Sequence, residues 1–465
     1  MLRKTLKNLQ GPLLAALLAG GAALPAHAET LADTLVAAYR HSALLEQNRA
    51  VLRAADEDAA SAIAALRPVL QWVAGYTYQN VEGIDGYSAS IGLQAQMTLY
   101  DWGRNAIAID IAKESVLATR AALVGVEQDV LLGAVQSYLN VRSAMEQVDL
   151  QENSVRVIGQ EQRAATDRFE VGEITQTDVA QADAALAEAR ANLATAEGDL
   201  QIARESFRTA TGKPPVNLSP PPPTPKLPAT LVAARDIGRN THPLIQQARR
   251  EAAAAELGVA AAAAERNPTL TGTAGISRER SRSVNGFGQT STVEGGSIGV
   301  DLSQTIYSGG RLPSAHRKAM AQRDSARSAL LNTSRQVDEA VGNAWAGIDV
   351  ARAQIGAIDE QIAAAQQAYN GVREEATLGA RTTLDVLDAE QSLLEARANK
   401  ITAEANLQLA HYQLLSAMGL LTVENLKLGI PTYDPSAYYN AVQDAPFTSR
   451  QGESLDRVLR AIGKD

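Results

Sequence analysis

Leu99-Tyr100-Asp101-Trp102-Gly103-Arg104 returns 207 positions later as Ile306-Tyr307-Ser308-Gly309-Gly310-Arg311. Outward from that segment, the same offset pairs Tyr138 with Trp345, Val171-Gly172 with Leu378-Gly379, and Thr177-Asp178-Val179 with Leu384-Asp385-Val386. It also pairs Arg190 with Arg397 and Thr211-Gly212 with Met418-Gly419. A constant offset from Leu99 to Gly212 marks an internal duplication with no net gap. Upstream, Arg67-Pro68 answers Asn267-Pro268 at an offset of 200, so the second copy holds seven extra residues between its proline and its glycine. Between the copies, 213–228 carries eight of the seventeen prolines. Proline lacks an N–H and fixes φ, so this stretch reads as an extended, polyproline-like strap. The chain divides into a first repeat over 29–212, a proline-rich linker over 213–228, a second repeat over 229–419 and a tail over 420–465.

Each repeat reads helix, hairpin, helix, helix. The first helices, about Leu44 to Leu66 and Leu244 to Glu265, stop where a proline forbids continuation. After Gly103 and Gly310, helical patterns run to about Phe169 and Ala376, rods of roughly 100 Å at 1.5 Å per residue. Further helices span about Thr177 to Ala210 and Thr383 to Ala417. In the first of these, Leu186, Leu193, Leu200 and Phe207 recur every seven residues, interleaved with Ala182, Ala189, Ala196 and Ala203. The second repeats the stripe at Leu393, Leu407 and Leu414, interrupted by Lys400, with Ala389, Ala396, Ala403 and Ala410 as the small positions. Such a seam winds left-handed coiled coils, and alanines let neighbouring helices approach closely.

The hairpins alternate at period two. Leu70, Trp72, Ala74 and Tyr76 alternate with Gln71, Val73, Gly75 and Thr77; Ile91, Leu93, Ala95, Met97 and Leu99 alternate with Gly92, Gln94, Gln96 and Thr98. Ile298, Val300, Leu302 and Ile306 alternate with Gly299, Asp301, Ser303 and Thr305. That pattern suits a half-buried strand, and equally a barrel strand with lipid outside and water inside. Strand lengths of about 12 to 14 residues, enough to cross a bilayer at a tilt, favour the barrel. So do Tyr76, Tyr78, Tyr87, Tyr100, Trp102 and Tyr307 near strand ends, placed as in an interfacial girdle. Polar, glycine-rich loops are expected at Gly83 to Gly86 and Ser281 to Gly296. Four strands cannot close a barrel of useful width, whereas three chains supply twelve. The expected fold class is therefore α+β: a trimeric duct with a shared 12-stranded barrel, four strands per chain, and a long coiled-coil barrel.

Arg3, Lys4 and Lys7, the apolar stretch Leu13 to Leu24 and Ala26-His27-Ala28 have the layout of a secretory signal peptide over 1–28. No later stretch reads as a transmembrane helix: the one long segment without Asp, Glu, Lys or Arg, 405–423, is broken by Asn406, Gln408, His411 and Gln413, so a membrane crossing has to use strands. The absence of cysteine excludes disulfides, thiol chemistry and an N-terminal lipid anchor. A net charge of −9, with three cations in the leader, argues against nucleic acid as a partner. The histidines of the mature chain, His41, His242, His316 and His411, have no ligand spacing, and no phosphate-binding or nucleophile-elbow motif is present. Neither an enzyme nor a cofactor is expected.

This arrangement resembles the TolC family of outer-membrane channels over nearly all of the chain from Glu29 to Gly419. The strongest local matches are Leu378-Gly-Ala-Arg-Thr-Thr-Leu-Asp-Val-Leu-Asp-Ala389 and Arg168-Phe-Glu-Val-Gly-Glu-Ile-Thr-Gln-Thr-Asp178, similar to the family's periplasmic tips. The resemblance implies a homotrimer in the outer membrane with its helical barrel in the periplasm. It also implies a periplasmic adaptor and an inner-membrane ABC or proton-driven transporter as partners. Asp385 and Asp388 match the acidic residues at the narrowest point of such ducts; at i and i+3 they share a helix face, and three chains would ring a pore with carboxylates able to bind cations. A solvated helix face is the plain alternative. Arg381 matches the family's gate arginine, with Thr177 and Asp178 as its partners, while Ala376 stands where the family pattern often has a tyrosine. The implied function is a passive conduit for proteins in type I secretion or for small molecules in efflux. The missing lipid-anchor cysteine favours secretion. A periplasmic coiled-coil adaptor or scaffold without its own pore is the other reading.

Overall fold

The computed structural model describes residues 28–81, 84–282, 289–443 and 457. The expected leader, apart from Ala28, and most of the tail's last segment lie outside the described residues. The first repeat runs α1 (Leu31–His41), α2 (Ala43–Ala64), β1 (Val69–Val81), β2 (Ile84–Tyr100), α3 (Arg104–Glu170) and α4 (Gln176–Thr211). The second runs α5 (Leu231–Thr241), α6 (Pro243–Ala264), β3 (Thr269–Arg282), β4 (Thr290–Ser303), α7 (Arg311–Thr377) and α8 (Thr383–Ala417), and a short α9 (Ala437–Val442) follows.

Each repeat thus opens with a short helix beyond the four elements expected. α1 and α5 end at one extended residue, Ser42 or His242, whose side chain accepts a hydrogen bond from the first turn of the next helix. A one-residue break leaves the apolar pattern almost intact, so periodicity alone does not register it. The long rods match expectation: α3 and α7 are each 67 residues, about 100 Å.

The four strands form one antiparallel sheet in the order β1-β2-β3-β4. Two expectations about it are corrected. The loops are shorter than read, because Val81 already pairs with Ile84 and Arg282 with Thr290; the turn-like glycines Gly86, Gly295 and Gly296 find ladder partners. β4 stops at Ser303, opposite the first residue of β3, so Ile306 lies beyond the strand. The segment between β3 and β4 (283–289) outnumbers that between β1 and β2 (82–83), which accounts for most of the second copy's extra residues. In register, Leu70, Ala95, Ala274 and Ile298 share one face with Trp72, Leu93 and Ile276, while Gln71, Gln94 and Gly275 share the other. The apolar face is bare on the single chain: Leu70 is 70% exposed, Trp72 66% and Ile298 90%. Edges β1 and β4 also carry unpaired backbone groups, so both face and edges require covering.

Below the sheet, α2 packs on α3, and α6 packs between α3 and α7; farther along, α3 pairs with α4 and α7 with α8 as two antiparallel coiled coils. The heptad stripe is the seam, with Ala182, Ala189, Leu200 and Phe207 buried in α4 and Leu393, Ala396, Ala403, Ala410 and Leu414 in α8. Lys400, the interruption, reaches across to Asp359 of α7 at 2.7 Å.

The main core lies at the equator, where α1, the strap and the tail wrap the middle of α3. Ser219 N–H donates to the Glu29 carbonyl and Glu29 N–H to Asn217, both at 2.9 Å. The duplicated aromatics both serve the strap: the buried Tyr138 hydroxyl donates to the Ser219 carbonyl at 2.5 Å, and Trp345 lines a crevice with Leu227 and Pro228. The tail is pinned by Val423 N–H to the Glu127 carboxylate at 2.7 Å and by the Tyr438 hydroxyl to Glu57 at 2.8 Å. Gly212 and Gly419 end α4 and α8 at φ +80° and +76°, where a β-carbon would lie 2.6 Å from the His41 ring and 2.7 Å from His242 Cα. Only glycine satisfies both the dihedral and the contact.

Candidate functional site at the helical tips

Each coiled coil ends in a tight turn built the same way twice. α3 and α7 finish with left-handed glycines, Gly172 at φ +82° and Gly379 at +78°. Glu173 N–H donates to the Arg168 carbonyl and Ala380 N–H to Glu375, each at 2.9 Å, which closes both helix ends in Schellman fashion. The returning helices start with capping boxes: Thr175 with Asp178 and Thr382 with Asp385. In each, the acid accepts from its threonine's N–H at 2.9 Å. The Thr-x-x-Asp spacing was present in the sequence, and this structural duty of the two aspartates was missed there.

Cap bonds lower the pKa of both carboxyls, and the Arg381 charge adds a smaller pull on Asp385. Both are therefore anionic across the physiological range. Asp385 commits Oδ2 to the cap and is half-buried; Asp388, one turn on, is exposed and bears no such duty. Among the described residues of one chain, no group of three or more His, Cys, Asp or Glu comes together as a metal site.

Within the chain, Arg381 pairs with Glu375 at 2.9 Å, with both side chains about half exposed. Among the described residues it makes no bond to Thr177 or Asp178 of its own chain; Asp178 is engaged by Thr175. The single chain therefore does not contain the expected link between Arg381 and those two residues.

The two tips of one chain are instead joined by residues that sequence reasoning did not single out. Arg168 Nη1 of α3 donates to the Ala376 carbonyl of α7 at 3.3 Å, and Arg373 of α7 pairs with Glu161 of α3 at 3.3 Å. Ala376 is buried in a small cluster with Tyr369, Val386 and Leu393. The tyrosine that the family pattern leads one to expect at 376 is absent, and a buried tyrosine sits seven residues earlier on the same helix. Next to these, burial raises the Glu390 carboxyl, offset in part by Arg397 and Arg373. No periodicity signals the Arg168 contact, because its acceptor is a backbone carbonyl 208 residues away.

A sequence model of the outer membrane efflux protein family matches residues 35–213 and 238–420. The outer membrane efflux protein BepC of Brucella suis is 33% identical over 440 residues, which cover 94% of this chain and 96% of that protein. The outer membrane protein TolC of Escherichia coli is 26% identical over 462 residues, covering 96% and 93%. Among solved structures, the CusC channel superposes with a TM-score of 0.74 at 21% identity, over 84% of this chain and 92% of that one. The sheet and rods are those of ducts in which three chains share twelve strands above a periplasmic helical barrel. The adaptor alternative is thereby removed. The chain belongs to the outer membrane efflux protein family, made up of channels and not enzymes, and is an outer-membrane channel for efflux or type I secretion.

Proposed function

We propose that this channel is a passive conduit, held closed at its periplasmic tips, which an inner-membrane ABC or proton-driven transporter opens through a periplasmic adaptor. The bridge from Arg168 to the Ala376 carbonyl carries the reading, because it fixes one coiled coil against the other at the end remote from the sheet. Opening the duct means letting these hairpins splay. Arg381 supplies a second hold on Thr177 and Asp178 of a neighbouring chain, exchanging its exposed partner Glu375 for them. Asp385 and Asp388 of three chains then ring the closed end and favour cations over anions. Phe169, Val171, Leu378 and Leu384 are exposed at the tips and offer apolar contacts to adaptor or neighbour. The mature chain starts near Glu29, whose backbone already bonds the strap.

Small-molecule efflux is the first cargo class, since BepC, an efflux protein by name, is similar over 94% of the chain. The alkaline protease secretion protein AprF of Pseudomonas aeruginosa is 25% identical over 65% of it. Deleting the gene tests the assignment. Heightened sensitivity to amphiphilic drugs with an unchanged culture supernatant supports efflux; loss of one or a few large secreted proteins with unchanged sensitivity overturns it in favour of secretion.

A further inference from the structure

The lipid-facing side of β3 changes character halfway along. Its outward residues run Leu270, Gly272, Ala274 and Ile276, then Arg278, Arg280 and Arg282. The helices join the opposite ends of the strands, so the arginines lie toward the cell exterior, at the level of the outer leaflet. In register beside them stand Ile91, Ala89 and Tyr87 on β2 and Glu294, Thr292 and Thr290 on β4. All three arginines are exposed. Arg278 is paired with Glu294 at 3.0 Å. The remaining acid on this face among the described residues, Asp85, accepts hydrogen bonds from Tyr78 and from Asn80. Arg280 has no ion-pair partner within salt-bridge distance among the described residues, and Arg282 meets the Asp85 charge only beyond that distance.

An arginine on a barrel's lipid face costs about 2–4 kcal/mol at the bilayer midplane and about 0–1 near the interface. Three in succession are least costly at the interface, where headgroup phosphates can meet them. The guanidinium fork matches phosphate oxygens in bidentate geometry, and the apolar stem can lie along the band below while the head reaches the headgroups. We propose that Arg278, Arg280 and Arg282 form a docking strip for the phosphate groups of an anionic glycolipid in the outer leaflet. Each trimer carries three such strips. Arg278 and Arg282 lie about 14 Å apart along the strand, so one strip can engage two phosphates on one headgroup. Thr290 and Thr292 supply neighbouring hydroxyls.

The proposal rests on the channel reading, and its test separates the two. The purified full-length trimer is reconstituted in bilayer discs of neutral phosphatidylcholine containing either a phosphorylated, acylated glucosamine disaccharide or the same lipid after phosphatase treatment. Lipid retained per trimer is read by native mass spectrometry, and single-channel conductance is recorded on the same purified trimer inserted in planar bilayers of the same lipids. The wild-type trimer should retain the phosphorylated form about thirty-fold better, and Arg280→Gln/Arg282→Gln should lose that preference; thirty-fold corresponds to about 2 kcal/mol at 1.4 kcal/mol per decade. Equal retention of the two lipids by wild type, which needs no variant to fold, overturns the proposal. So does an unchanged preference in a double variant that still conducts. Absence of conductance from wild type would instead count against the channel.

Discussion

Replacing Arg168 with alanine removes the direct hydrogen bond that ties the tip of α3 to the tip of α7. A hydrogen bond from a charged donor contributes about 1.5–3 kcal/mol net, and the 3.3 Å length places this one at the lower end. The neighbouring Arg373–Glu161 pair has its arginine half exposed and belongs with surface pairs worth about 0.2–1 kcal/mol. Arg168 therefore dominates: its loss should shift the closed–open balance by about 1.5 kcal/mol per chain, roughly tenfold. If the three chains open together the effect multiplies to about 4–5 kcal/mol, enough to make the open state prevalent. The assay is single-channel recording of the purified trimer, with Arg168→Lys as a control that keeps the charge. Open probability rising about tenfold indicates independent hairpins, and a still larger rise indicates concerted opening. Open probability within twofold of wild type, in a trimer that folds and inserts, would refute the role of the bridge.

Further outcomes follow from the same geometry. Arg381→Ala breaks only an exposed pair with Glu375 within the chain, so a conductance change as large as that of Arg168→Ala would reveal the link to Thr177 and Asp178 of a neighbour, and a negligible one would exclude it. Asp388→Asn should weaken cation preference, read as reversal potential in a salt gradient, without disturbing the fold; Asp385→Asn is a poorer probe because it also weakens the cap of α8. Gly419→Ala should cost about 2–3 kcal/mol and lower the temperature at which the trimer dissociates, because strain and a clash with His242 coincide, whereas Gly172→Ala, with the same dihedral and open space, should cost about 1 kcal/mol. Burial pushes the Asp56 carboxyl, 3.9 Å from Arg120 with both its oxygens lacking hydrogen bonds, up to about 6 from 3.8. Its folded pKa is raised, so holding it charged costs stability above pH 6, up to about 3 kcal/mol, and the cost fades as pH falls from 6 toward 4. Asp56→Asn should therefore be the more stable protein at pH 7.5 in denaturant titrations and lose that advantage by pH 4; a constant difference across that range would contradict the shift.

Much of the architecture was legible because it rests on periodicity and duplication. A seven-residue stripe of leucine and alanine can only bury itself in a coiled coil, and an alternating stripe with aromatic ends can only bury itself on one face of a sheet. The offset of 207 carried the helix ends across from one repeat to the other to within a residue or two. Where local punctuation competed with longer-range pairing, the reading failed. The glycines at 86, 295 and 296 look like loop, yet ladder bonds hold them in strand. Ser42 and His242 break helices at single residues that a window averages away.

At the tips, the aspartates were legible as residues and not as geometry. The likeness of Leu378 to Ala389 to the family's periplasmic tip singled out Asp385 and Asp388, and the Thr-x-x-Asp pattern was there to say that one of them caps a helix. What the sequence by itself determined is everything set by neighbours along the chain: the repeat, the rods, the alternation of the strands, the turns at Gly172 and Gly379. The tertiary structure alone decided which distant groups meet. It brought Arg168 to a carbonyl 208 residues away, paired Arg373 with Glu161, and set Glu294 of β4 beside Arg278 of β3. A backbone acceptor carries no residue identity, and a cross-strand neighbour depends on register. Such contacts leave no periodic mark in the sequence, because they are selected by the packing of whole elements and not by any one residue's preference.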